Sequence, residues 1–144
     1  MKLDDIHEEW GKDCNIVDDM LDEESLKIPK LHQKYYKIYT GERMLLAKLT
    51  QDIKVLSALK HEYYAGDLSQ EDLEENGWEP FQKKVLRTEI PRFIEADRDI
   101  INLNLKIATQ KEKVDLCENI IKSLRDRGFL IKNAIEWRKF TNGA

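Results

Sequence analysis

The stretch IINLNLKIATQKEKVDLCENIIKSL, residues 100–124, decides the fold. Ile100, Leu103, Ile107, Gln110, Val114, Cys117, Ile121 and Leu124 follow one another at alternating spacings of three and four without a slip. An α-helix turns once every 3.6 residues, so this spacing lines all eight side chains along one stripe, a heptad seam about three and a half repeats long. Pro91, suited to a first helical turn, marks the start of a helix expected over residues 89–127, and Gly128 marks its end.

Upstream, Leu31, Tyr35, Ile38, Leu45, Leu49, Leu56, Leu59 and Tyr63 keep the same rhythm and predict a second long amphipathic helix. Gly41 costs that helix about 1 kcal/mol relative to alanine, and Gly66 is its C-terminal stop. Asp18 to Glu24 reads as a helix start, which Ile28-Pro29 interrupts, because proline lacks a backbone donor and disfavours a helical residue before it. Pro29 is therefore expected to begin the next helix or to kink it. Leu3, Ile6 and Trp10 form the stripe of a short first helix, with Asp4 and Asp5 at its entry and Gly11 at its exit.

Residues 67–88 contain Asn76-Gly77 and Trp78-Glu79-Pro80-Phe81, lack sustained periodicity, and read as an acidic loop and connector. Residues 128–144 read as a short, basic, aromatic-rich terminal helix. The expected architecture is all-α: a single domain built as a long antiparallel helical hairpin with short N- and C-terminal helices. Residues 1–66 supply the N-terminal helices, 67–88 the loop, 89–127 the heptad helix and 128–144 the last helix. A hairpin alone leaves much of each helix uncovered, so self-association is expected, with Phe129, Leu130, Ile131, Ile135, Trp137 and Phe140 as the subunit contact.

Composition narrows the function. Charged residues make up 36% and apolar residues 41%, with six Gly and three Pro, the mixture of surface-rich helices rather than of sheets or disorder. No stretch approaches the roughly 18 apolar residues of a membrane span, and residues 1–10 are too acidic for a secretory signal, so a cytoplasmic location is expected. Cys14 and Cys117 are far apart and form no Cys-x-x-Cys pair, and His7, His32 and His61 are isolated, so no disulfide, metal site or cofactor is expected. Phosphate-binding, serine-hydrolase and zinc-protease signatures are missing, and carboxylate pairs such as Glu74-Glu75 lie in solvated runs, so the chain is not expected to be an enzyme.

The net charge of −4 hides a segregation. Residues 1–24 hold ten acids against Lys2 and Lys12, and residues 67–79 hold six acids and no base. Residues 30–64 hold seven Lys or Arg against three acids, and residues 119–144 hold six against two. Such blocks suit pairing between subunits or a positive face for a polyanion. Lys54, Lys60, His61 and Tyr64 cluster near a helix end, where cations complement unpaired carbonyls. The same residues fit phosphate contact with a tyrosine stacked on an unpaired base.

The opening Met1-Lys-Leu-Asp-Asp-Ile-His-Glu-Glu, the run Asp22-Glu-Glu-Ser-Leu-Lys-Ile-Pro-Lys-Leu-His32 with Lys34-Tyr35, the Glu62-Tyr63-Tyr64-Ala-Gly66 stop and the ending Ile131-Lys-Asn-Ala-Ile-Glu-Trp-Arg-Lys-Phe-Thr141 resemble the UvsY family of phage recombination mediators. The resemblance spans nearly the whole chain and contains no catalytic motif. It implies a factor in the cytoplasm of an infected bacterial host that binds single-stranded DNA. It further implies contacts with a RecA-like, UvsX-type recombinase and the phage single-strand-binding protein, and assembly into a homo-oligomeric ring through the C-terminal region. The family's DNA-binding segment falls here on Lys60, Tyr63, Tyr64 and Gly66, while Ala58 stands where a base is usual, which shifts attention to Lys54 and His61. Lys122, Arg125 and Arg127 are further candidate DNA contacts. A coiled-coil adaptor that binds only proteins is the alternative the same heptads allow.

Overall fold

The structure, a computed structural model, describes residues 1–143. Among them every regular element is helical: α1 Leu3–Asp13, α2 Leu21–Ala65, α3 Gln70–Asn76, a 3-10 turn Arg87–Glu89, α4 Ile90–Glu95 and α5 Arg98–Thr141. The chain divides into two compact units, one formed by Met1–Leu45 with the chain from Thr109 onward, the other by Leu46–Ala108. Both long helices contribute to both units.

In the first unit the heptad seam does what its spacing predicts: Gln110, Val114, Cys117, Ile121 and Leu124 are all buried. Ile6 from α1, Tyr35 from α2 and Cys117, Ile120, Ile121 and Leu124 from α5 make one core, with Trp10, Leu31 and Ile38 packed on it. Partners ascend α2 as they descend α5, Tyr35 beside the Cys117–Leu124 group and Glu42 beside Gln110, so the two helices run antiparallel here. Trp10 meets Tyr35 edge-to-face at 5.4 Å, the geometry that the ring quadrupoles favour. Asp13 ties down the end of α1: its carboxylate accepts from Lys34 Nζ (2.5 Å) and Tyr35 Oη (2.7 Å), and its carbonyl accepts from Arg127 Nη2 (2.7 Å). These anchors carry α1 past Gly11, where the sequence predicts its end, to a cap at Cys14.

One polar layer interrupts this core. Gln110 Nε2 donates to the Glu42 carboxylate (2.5 Å) and to its carbonyl (2.8 Å), and Lys113 pairs with the same carboxylate at 2.9 Å. A fully partnered polar layer in an apolar seam penalises slipped registers, since any slip buries it unpaired.

Three expected boundaries are corrected. Pro29 begins no helix, because α2 starts at Leu21 and runs through it. Ser25, whose carbonyl loses its helical donor to the proline, is exposed, which leaves that carbonyl open to solvent rather than buried without a donor. Gly128 does not end the heptad helix, and no separate helix begins there: α5 is a single run of 44 residues from Arg98 to Thr141, and of the expected terminal helix 128–144 only Ala144 lies outside the described residues. Leu124, Arg127 and Ile131 are buried on both sides of the glycine, and that packing outweighs its propensity cost of about 1 kcal/mol. Pro91 sits instead in the first turn of the short α4, and α5 starts afresh at Asp97, whose Oδ1 accepts from the backbone N–H of Asp99 (2.9 Å) and Ile100 (3.1 Å).

Candidate nucleic-acid interface

The second unit contains the segment that carries the expected DNA contacts, and its geometry starts from how α2 stops. Gly66 adopts φ 78°, and Asp67 N–H reaches back to the Glu62 carbonyl at 3.0 Å, a left-handed helix exit that a side chain would strain. The supposed loop 67–88 then holds a helix of its own. Ser69 caps α3 by accepting from Asp72 N–H (3.2 Å), and Gly77, at φ 70°, closes it. Its partner signal, a serine followed three residues on by an acid, is present in the sequence.

This exit returns Trp78 and Phe81 to the end of α2, where they meet Tyr63, Tyr64 and Phe93 from α4. Ring centroids are 5.3 Å apart for Tyr63 and Trp78, 4.9 Å for Tyr64 and Phe81, and 5.8 Å for Phe81 and Phe93. Tyr63 Oη donates to the Glu79 carbonyl (2.7 Å) and Tyr64 Oη to Asp97 Oδ2 (2.6 Å). Burial, then the bond to Asp97, pushes the Tyr64 phenol above its ordinary value. Both tyrosines are half-buried.

Lys60 is placed inside this cluster. It is 4% exposed, ion-paired to Asp97 (3.0 Å) and Asp99 (2.9 Å), and its ammonium lies 3.8 Å from the Trp78 ring centroid. Two carboxylates and an aromatic face replace its water. Burial opposes the charge of Asp97, yet hydrogen bonds from Tyr64 and Lys60 outweigh it and hold that carboxyl below the usual range. The sequence-predicted set therefore divides: Lys60, Tyr63 and Tyr64 come together facing inward, whereas Lys54 and His61 are exposed on α2.

The first unit divides its candidates in the same way. Arg127 is 3% exposed, donates to the Asp13 carbonyl and lies 5.6 Å over Trp10. Lys122 and Arg125 are exposed, Lys122 beside Glu118 at 3.7 Å. Of the expected subunit contacts, Ile131 belongs to the chain's own interior, while Phe129, Leu130, Ile135, Trp137 and Phe140 face solvent, the last two with rings stacked at 5.7 Å.

Sequence reasoning missed a cluster. The charge of the connector reverses at Pro80: residues 80–92 hold Lys83, Lys84, Arg87 and Arg92 against Glu89 alone. All four bases are exposed. Among the described residues no group of His, Cys, Asp and Glu is arranged to hold a metal ion, and no helix is long and apolar enough to cross a membrane.

Comparison with known proteins adds a lineage to this geometry. Residues 9–144 match the family model described as recombination, repair and ssDNA binding protein UvsY. The chain is 24% identical over 143 residues to the recombination protein uvsY of Enterobacteria phage T4, with 99% of each chain covered. Crystal structures of the bacteriophage T4 recombination mediator protein UvsY superpose with a TM-score of 0.83 at 22% identity, one covering 97% of this chain and 99% of that one, another 99% and 98%.

Proposed function

Because the chain belongs to the UvsY family of recombination, repair and ssDNA-binding proteins, we propose that it is a recombination mediator. It binds single-stranded DNA and helps a RecA-like recombinase replace the single-strand-binding protein that covers the strand, in the cytoplasm of the infected host. It does so by binding alone, without catalysing a reaction. The observation that carries this reading is the family match along residues 9–144.

Self-assembly is part of the same proposal, and an exposed apolar face supports it. Phe129, Leu130, Ile135, Trp137 and Phe140 expose 37–75% of their surface near the end of α5, an apolar face of the kind that subunit contacts cover. A ring through this face repeats one weak phosphate-binding patch many times, and avidity then lets a chain of net charge −4 hold a polyanion.

The experiment is a salt titration of binding to a fluorescent oligo-dT, with sedimentation of the same samples. The expected result is salt-sensitive binding by an oligomer, and reduction of both size and affinity by the double change Trp137→Ala, Phe140→Ala. A well-assembled oligomer that ignores DNA at low salt would instead be a protein-only adaptor.

A further inference from the structure

Lys60 and the two tyrosines are engaged within the chain, so the strand needs other groups to hold it. The longest non-helical segment among the described residues, 78–86, offers them. An open groove of about 630 Å³ runs along it, lined by Glu79, Pro80, Phe81, Gln82, Lys83 and Phe93. That volume lies within the roughly 300–1,000 Å³ range of small-ligand sites. Phe81 and Phe93 are half-buried, held by their neighbours while still lining the groove, and Gln82 is exposed with donor and acceptor free.

Lys83 lines the groove, and the side chains of Lys83 and of its sequence neighbours Lys84, Arg87 and Arg92 make no ion pair or hydrogen bond with any described residue, whereas Lys60 makes two ion pairs. Four solvated cations within ten residues, beside fixed aromatic rings, are the combination that holds single strands without reading sequence: phosphates take the charge and bases take the rings. Glu79 and Glu89 are the acids of this segment, and they leave it net positive.

We infer that single-stranded DNA docks on this connector, with a base against Phe81 and Phe93 and the flanking phosphates on Lys83, Lys84 and Arg87. The buried Lys60 acts one step behind as a positioning residue: it neutralises Asp97 and fixes Trp78, which precedes the groove. This location rests on the strand-binding reading above, and the test separates the two.

The test compares the full chain with the triple variant Lys83→Ala, Lys84→Ala, Arg87→Ala, all exposed positions, by oligo-dT anisotropy across a salt series. A single-strand contact contributes about 0.7 to the slope of log K against log salt, so the slope should flatten by about 2 for each engaged subunit. Photocrosslinking with a 5-iodouracil oligonucleotide should label Phe81 or Phe93, and sedimentation should show the variant at the parent's size. An unchanged slope, or crosslinks confined to α2, overturns the connector site while leaving strand binding intact. A smaller oligomer would show that these bases pair with the acidic run 67–79 of a second copy, which also overturns it. If the parent chain itself ignores oligo-dT at low salt, the mediator reading fails together with the site.

Discussion

Asp97 concentrates more of the second unit's chemistry than any neighbouring residue: it caps α5, pairs with Lys60 and accepts the Tyr64 hydroxyl. Asp13 and Glu42 play comparable parts in the first unit, and in all three burial works against the charge while hydrogen-bonded partners prevail and lower the pKa. A carboxyl with a lowered folded pKa contributes stability that is complete above its unfolded value and vanishes as pH falls through the folded one. Stability should therefore hold level above the ordinary values of 3.8 and 4.5 and decline below them. Urea denaturation across pH 2 to 7, on the order of the carboxylate range, reads this directly. Asp97→Asn keeps a capping oxygen and removes the charge beside Lys60. It should cost about 2 kcal/mol at neutral pH and make the acid decline shallower, and an undiminished decline would remove Asp97 from the account.

At the scale of the helices, Gly41 and Gly128 stand inside α2 and α5 with nothing within 4 Å of where a Cβ would lie. Gly41→Ala and Gly128→Ala should each stabilise the chain by up to about 1 kcal/mol in chemical denaturation. A loss at Gly128 alone would mean that another subunit approaches the backbone there. The two long helices were legible because their stripes repeat over many turns, and the seam from Ile100 to Leu124 needed no correction. Their ends were not, because Pro29 and Gly128 punctuate locally while burial of Leu21, Glu24, Arg127 and Ile131 acts from a distance. The candidate site was half legible. Lys60 and Tyr64 belong to the family's segment, but their inward orientation depends on Asp97, 33 residues beyond Tyr64, a pairing no local pattern encodes. The basic half of the connector, Lys83, Lys84, Arg87 and Arg92, is present in the charges, but it follows no helical period and belongs to no motif that would have tied it to a site.

For the whole molecule, segregated charge matters more than net charge. A chain of −4 repels a polyanion at long range, yet salt shortens that field to about 10 Å at 0.1 M. Within that distance a strand meets either the bases of residues 83–92 or the acids of residues 67–79, and the sign decides where it settles. The non-helical backbone of residues 78–86 also has a consequence for the integrity of the polypeptide. Trypsin cuts after lysine or arginine in chain that can enter its cleft extended, and exposed irregular backbone enters most readily. Lys83 and Lys84 should thus be nicked well before the lysines of α2 and α5, giving fragments that stay associated through buried helix contacts. Excess oligo-dT should slow that first cut, and a cleavage rate indifferent to the strand would mean that the protease and the DNA visit different places.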